Sequence, residues 1–191
     1  MSEPLRILTA DEVYAINMVD LPLIVNSDKL WGWWSWFAMG IRQHTHGFYS
    51  HSMVMERPGH FVSQAWTLKR IPADRYVNKQ YRLKFWQPTM WGVEERQRFN
   101  TAVANALNQG RWGRRYDWPA IGGQLTGLRW LQIPRRQICS TRVAQFVRAT
   151  GEPFDVVQPN PEDLESYFKD HPDQWQPYGV YDPNLLQERR T

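Results

Sequence analysis

Eleven tryptophans in 191 residues constrain the fold of this chain more than any other feature. A disordered chain cannot bury large aromatic side chains, and the thirteen prolines and twelve glycines are scattered instead of clustered. We therefore expect a packed core. With 42% hydrophobic and 22% charged residues, the chain has the composition of one globular domain. We assign residues 1–170 to this domain and expect an irregular tail at 171–191, where prolines and polar residues prevail.

The longest apolar run, residues 30–41, is too short for a membrane-spanning helix, which needs roughly 20 residues. The first dozen residues include acids and lack the pattern of a secretory signal, so we expect a cytoplasmic protein or a component of a virion. The net charge of +4 is too mild to predict specific nucleic-acid binding. The arginines are either solvated on turns or attract an anionic polymer such as cell-wall glycan. The Trp-rich run and the C-terminal segment are candidate surfaces for protein partners.

Hydrophobic periodicity predicts strands and helices in a mixed order. The predicted strands are Leu21–Val25, Tyr49–Met55, His60–Trp66 and Gln80–Trp86, the middle two forming a hairpin around residues 56–59. The predicted helices are residues 31–41, Val93–Gln109, Cys139–Thr150 and a helix capped by Asn160 that ends near Phe168. Asn26–Asp28 is predicted to be a turn. This order predicts an α+β fold with a central antiparallel sheet and packed helices.

Cys139 is the one cysteine, which excludes an internal disulfide and a cysteine-rich zinc framework. Its predicted position at the start of a helix favours the thiolate, because unpaired N–H groups and the positive end of the helix dipole lie there. The same N–H groups would stabilise an oxyanion on an attacked carbonyl. The thiol is a nucleophile if a histidine lies beside it, and otherwise it is an inert core residue.

His51 is the best candidate partner, because it lies in a predicted strand between two small serines. Gln64, in the next strand, is predicted to orient the ring by accepting an imidazole N–H through its carbonyl oxygen. Ser63 should point to the opposite face from Gln64, and His60 lies near the turn. Both are therefore weaker candidates.

Five short motifs occur in an informative order. They are Tyr-Ser-His from Tyr49, a Gln-Ala pair at Gln64, Gly-x-x-Tyr-Asp at 113–117, Cys-Ser at 139–140 and Asn-Pro-x-Asp-Leu from Asn160. Together they resemble the circularly permuted papain-like, NlpC-related hydrolases of the YiiX type, in which the histidine precedes the cysteine. Lecithin retinol acyltransferase is a more distant relative. The resemblance covers roughly residues 20–168.

The resemblance implies a permuted papain-like fold and a Cys-His-Gln site. Cys139 would be the nucleophile, His51 the general base and acid, and Gln64 the third residue, where YiiX-like members often have a glutamate. Tyr116 and Ser140 would contact the substrate. No cofactor or metal is expected. The expected activity is hydrolysis of an amide bond, for example in peptidoglycan peptides. The alternatives are an acyl hydrolase or acyltransferase acting on a lipid or thioester, and a silent structural or docking component of a larger assembly such as a phage.

A metal site is the rival chemistry. His44 and His46 would lie on one face of an extended segment, with His51, Glu56 or Asp117 as further ligands. No longer metal-binding motif supports this site, and it would leave Cys139 without a role. The sequence also lacks a phosphate-binding glycine loop, a Gly-x-Ser-x-Gly elbow and a dinucleotide fingerprint, which disfavours kinases, nucleotide hydrolases and serine esterases of those types.

Overall fold

The computed structural model describes residues 5–16, 22–30, 39, 48–64, 66–110, 114–115, 117, 119, 138–156 and 158–188. In chain order, the elements of these residues are α1 (Ala10–Ala15), β1 (Leu23–Lys29), β2 (His51–Arg57), β3 (His60–Gln64), β4 (Leu68–Pro72), a 3-10 turn (Ala73–Arg75), β5 (Tyr81–Pro88), α2 (Val93–Asn108), α3 (Cys139–Arg148), α4 (Pro161–Asp170), β6 (Trp175–Tyr181) and α5 (Pro183–Glu188). Most of the predicted Trp-rich helix lies outside the described residues, and that helix stays a prediction.

The strands form one six-stranded sheet in the order β4-β3-β2-β1-β5-β6, with every neighbouring pair antiparallel. This confirms the predicted α+β fold with a central antiparallel sheet. The predicted hairpin is β2–β3. Its turn contains Gly59 at φ +66°, a left-handed conformation that glycine adopts without strain.

Strand alternation gives the sheet two apolar faces. One face, which includes Ile24, Val54 and Val62, packs against the buried side chains of α2, α3 and α4. The other face, which includes Val25, Met53 and Phe61, packs against α1 and the residues around the 3-10 turn. Because both faces are covered, the core lies on both sides of the sheet.

The predicted turn at Asn26–Asp28 is wrong, because these residues continue β1. All three are buried, and Asn26 accepts a hydrogen bond from Ser52 Oγ at 2.8 Å. Ser27 pairs with His51 in the β1–β2 register. Polar composition indicates a turn only when the side chains face water, and here neighbouring elements supply their hydrogen bonds.

Three of the predicted helices are confirmed as α2, α3 and α4, and two of them have characteristic features at their ends. Asn160 caps α4 by accepting from the backbone N–H groups of Glu162 and Asp163, at 2.8 and 3.0 Å. The cysteine helix is α3, and Gly151 lies just beyond it at φ +101°. The cap and the glycine are the end signals that helices commonly use.

The expectation of an irregular tail is wrong for residues 175–188. β6 pairs with β5 along its length, and Trp175 is only 1% exposed. Pro177 is tolerated because the β5–β6 register shifts beside it, at the edge of the sheet. Outside β6, Leu8 N donates to Val180 O at 2.8 Å. The segment is therefore part of the domain.

Among the helices that the structure describes, none is both long enough and apolar enough to cross a bilayer.

Candidate functional site

Cys139 is the first residue of α3 and is 3% exposed. The residue before it, Ile138, has an extended backbone and provides no side-chain hydrogen bond to the helix start. The first backbone N–H groups of a helix have no partner within the helix, so they and the helix dipole favour an anion there. The thiol therefore lies at the end of the helix whose dipole favours an anion.

His51 begins β2 and is hydrogen-bonded to a serine of the next strand. The distance from His51 Nε2 to Ser63 Oγ is 2.7 Å. Met53 is directly opposite Ser63 in the β2–β3 register, so His51 and Ser63 lie on the same face as diagonal neighbours. Ser63 is fully buried and His51 is half-buried. The bond to Nε2 fixes the ring and leaves Nδ1 as the nitrogen for proton exchange.

Tyr76, just after the 3-10 turn, extends this contact. Its hydroxyl is 3.0 Å from Ser63 Oγ, and its ring is stacked on that of His51 with centroids 6.1 Å apart. Burial raises the pKa of Tyr76 to about 12, and the negative charge of a Cys139 thiolate acts in the same direction. Cys139 is therefore close enough to Tyr76 for the two side chains to interact electrostatically. No motif in the sequence points to Tyr76, because its contacts are made through space.

Gln64 lies on the opposite face, where its contacts differ from the prediction. Its Nε2 donates to the carbonyl oxygens of Arg114 and Arg115 at 3.1 Å each, and its Oε1 accepts from Arg142 Nε at 3.3 Å. The structure thus places Ser63, and not Gln64, against the ring of His51. Gln64 instead connects α3 to the 114–115 segment.

A β-bulge explains this difference. Arg57 pairs with His60, but Met55 pairs with Phe61, so the register shifts by one residue between them. Without the shift, Gln64 would share the face of His51. A one-residue slip moves every side chain of a strand to the other face, and the sequence contains no direct signal for it.

Arg142 places a buried positive charge on the first turn of α3. It is 4% exposed, and burial lowers its pKa to about 10, so the guanidinium stays charged at neutral pH. It also donates to Gln145 Oε1 at 3.2 Å. These contacts direct the guanidinium toward Gln64 and Gln145.

Of the two predicted substrate contacts, Ser140 and Tyr116, the structure describes only Ser140. Ser140 is fully buried, and its hydroxyl donates to the carbonyl oxygen of Pro159 at 2.5 Å. This bond holds the start of α3 against the segment that leads into α4, so the hydroxyl is not at an open surface. Tyr116 lies outside the described residues.

The ligands considered for a metal are placed as follows. His44 and His46 lie outside the described residues. Glu56 accepts two hydrogen bonds from Arg70, at 2.5 and 2.6 Å. In the described part of the chain, no group of three or more His, Cys, Asp or Glu side chains is placed to hold a metal ion.

The fold and these contacts define an α+β protein with a thiol at a helix start and an imidazole oriented by a serine hydroxyl. Neither a scan against models of known protein families nor a search of curated proteins found a match for the chain.

Proposed function

We propose that this protein is a cysteine hydrolase of the circularly permuted papain-like type that cleaves an amide bond. Cys139 is the nucleophile, His51 the general base and acid, and Ser63 the residue that orients the ring. One observation carries the proposal: the 2.7 Å hydrogen bond between His51 Nε2 and Ser63 Oγ, which orients the ring that is stacked on Tyr76. Nucleophilic catalysis requires an imidazole held at one nitrogen with its other nitrogen free to take the proton of a thiol, and we propose that Cys139 is that thiol.

In the proposed reaction, His51 Nδ1 takes the proton of Cys139 and the thiolate attacks the amide carbonyl carbon. The first N–H groups of α3 stabilise the oxyanion that forms. The intermediate collapses when the C–N bond breaks, and the imidazolium protonates the departing amine. Water, deprotonated by His51, then attacks the thioester, which releases the carboxylic acid and restores the thiol.

A serine as the third residue has an electrostatic consequence. Its hydroxyl orients the imidazole but adds no negative charge to stabilise the imidazolium, as an aspartate would. In this proposal the ion pair is therefore stabilised from the thiolate side, by the backbone N–H groups at the start of α3.

The proposed substrate is a peptide amide, with peptidoglycan peptides as the leading example. A second candidate, a lipid or thioester acyl group, is favoured by two exposed aromatic side chains. Phe48 is 72% exposed just before β2, and Trp66 is 67% exposed just after β3. Antiparallel pairing puts both at the end of the sheet that carries His51, where they would contact an apolar substituent.

Turnover by wild type and Cys139→Ser, compared on the same substrates, tests the proposal. The substrates are purified peptidoglycan, acyl-thioesters and phospholipids. We expect the wild type to release amines from peptidoglycan and the variant to release none. Release from the acyl substrates alone would favour the second candidate. Equal signals from both proteins on every substrate would leave a docking or structural role.

Alkylation by iodoacetamide tests the site without knowledge of the substrate. We expect Cys139 to react rapidly near pH 6 and His51→Ala to abolish this rapid reaction. The matched control is His60→Ala, because the ring of His60 binds the carbonyl of Pro58 in the hairpin turn. A thiol that reacts only above about pH 8 would have the ordinary pKa of cysteine and contradict the proposal.

A further inference from the structure

Tyr76 lies at the end of a hydrogen-bond path that the proposed reaction does not itself use. Its hydroxyl is 3.0 Å from Ser63 Oγ, which is 2.7 Å from His51 Nε2. Its ring is nearly parallel to that of His51, with an angle of 14° between the planes. Tyr76 is 7% exposed and also packs edge-on against Phe61. The path therefore runs from the imidazole to a rigidly held phenol in the core.

The protons on this path allow two directions, since either hydroxyl of the Ser63–Tyr76 pair can be the donor, and the proposed reaction selects one of them. A neutral imidazole has one N–H, and a serine hydroxyl has one proton to donate. For Nδ1 of His51 to receive the thiol proton, the ring proton must be on Nε2 and be donated to Ser63. Ser63 is fully buried, so its own proton needs an acceptor inside the protein. The phenol oxygen of Tyr76 is at hydrogen-bond distance.

We infer that Tyr76 is a positioning residue that accepts the Ser63 proton and thereby holds His51 in the Nε2–H tautomer. In the opposite arrangement, Ser63 donates to Nε2, the ring proton is on Nδ1, and that nitrogen cannot take a proton from a thiol. This choice of direction rests on the proposed hydrolase function, whereas the tautomer can be measured without turnover. Because the phenol stays neutral at working pH, Tyr76 does not compete with His51 as a base.

Tyr76→Phe tests this inference, because it keeps the stacked ring and removes the acceptor. The readout is the ¹⁵N NMR spectrum of the His51 ring in a Cys139→Ser background, at a pH where the ring is neutral. We expect Nε2–H with Tyr76 present and a shift toward Nδ1–H in the Phe variant. In the Cys139 protein, alkylation at pH 6 should slow by about three- to tenfold, the value of one hydrogen bond.

Tyr81→Phe is the matched control. The Tyr81 ring packs edge-on against Tyr76 at 5.0 Å, and its hydroxyl is not part of the Ser63 path. In Tyr81→Phe, the tautomer of the His51 ring and the alkylation rate of Cys139 should match those of the parent protein. Equal tautomer populations with and without the Tyr76 hydroxyl would overturn the inference.

The tautomer with Tyr76 present gives a second test that needs no stable Phe variant. A predominant Nδ1–H ring would overturn the inference, because Ser63 would then donate to Nε2. The NMR result is also independent of turnover. A protein with the expected tautomers but no hydrolysis would refute the proposed function and keep the role of Tyr76.

Discussion

At the scale of single residues, Ser63 and Gln64 show how neighbouring positions in one strand take different tasks. Ser63 contacts His51, whereas Gln64 binds two backbone carbonyls and Arg142 on the other face. The cysteine at a helix start, the histidine in a hairpin strand and a polar partner in the next strand were predictable from the sequence. The choice between Ser63 and Gln64 was not, because it depends on a bulge. Tyr76 was not, because its contacts cross the fold.

Substitutions of Ser63 and Gln64 are expected to have opposite effects, one on the alkylation rate of Cys139 and the other on the stability of the fold. Ser63→Ala should slow alkylation of Cys139 at pH 6 by about three- to tenfold, because His51 loses one hydrogen bond. Gln64→Leu should keep the rate within about twofold of wild type. It should instead lower the free energy of unfolding by about 1–3 kcal/mol, because it removes hydrogen bonds from buried groups. Alkylation kinetics and urea unfolding measure the two effects. A loss of rate in Gln64→Leu alone would restore Gln64 as the orienting residue.

At the scale of elements, one buried carboxylate fixes α4 to the sheet. Glu165 is 1% exposed and accepts hydrogen bonds from Lys84 at 2.5 Å, Trp86 at 2.8 Å and Asn26 at 3.1 Å. Lys169 lies 3.4 Å away on the same helix. The carboxylate is thus bound from two strands of the sheet and from α4 itself.

Glu165→Ala should lower the free energy of unfolding by about 3–5 kcal/mol, because it leaves the largely buried Lys84 without its carboxylate. Lys169→Ala is the control. The Lys169 side chain is 50% exposed, and its removal should cost at most about 1 kcal/mol. Chemical denaturation compares the two variants. Similar small losses in both would mean that Glu165 does not anchor α4.

The short helix α1 begins with a reciprocal cap. We expect this cap to contribute to the stability of the fold at neutral pH and to lose that contribution in acid. The Thr9 backbone N–H donates to Glu12 at 2.8 Å, and Arg6 donates to the same carboxylate at 2.7 Å. These contacts lower the pKa of Glu12 from its ordinary 4.5 to about 2, the backbone bond contributing most. A carboxyl with a lowered pKa stabilises the fold above its ordinary pKa and loses this effect as pH falls through the lowered one.

We therefore expect wild type to be more stable than Glu12→Gln above pH 4.5. The difference should shrink as pH falls from about 4.5 and vanish near pH 2. Urea midpoints measured across this range, with Asp11→Asn as a first-turn control that keeps the cap, test the expectation. A difference that does not change with pH would contradict it.

The elements that could be predicted are those whose own sequence carries the signal. The β2–β3 hairpin has alternating strands around a turn, and α4 has a cap followed by proline. β4 could not be predicted, because it is an edge strand in which Lys69 and Arg70 are both exposed. The polar half of β1 and the proline-containing β6 are strands only because their neighbours pair with them.

At the scale of the whole molecule, β6 joins the C-terminal residues to the core. Trp175 is 1% exposed and packs against Phe168 and Trp91, with ring centroids 4.3 and 5.3 Å apart. The same strand pairs with residues 6–8. Gly179 allows this approach, because a Cβ there would lie 2.8 Å from Leu8 Cγ. Early and late parts of the chain thus meet at one edge of the sheet.

Trp175→Ala should lower the free energy of unfolding by about 3–5 kcal/mol, because it opens a large cavity in the aromatic core. Met90→Ala is the control, since Met90 is 75% exposed and its loss should change stability by no more than about 0.5 kcal/mol. Thermal and urea unfolding measure both. Equal stability of the two variants would show that β6 is dispensable for the fold.

The two outer strands of the sheet also bear on how copies of the chain behave at high concentration. Residues 6–8 occupy the outer side of β6, and β4 carries exposed cationic side chains and receives the 114–115 segment at its start. A bare, uncharged strand would recruit a strand from another molecule and begin an aggregate. One outer strand is therefore already paired and the other carries exposed Lys69 and Arg70, two features that disfavour edge-to-edge pairing between copies.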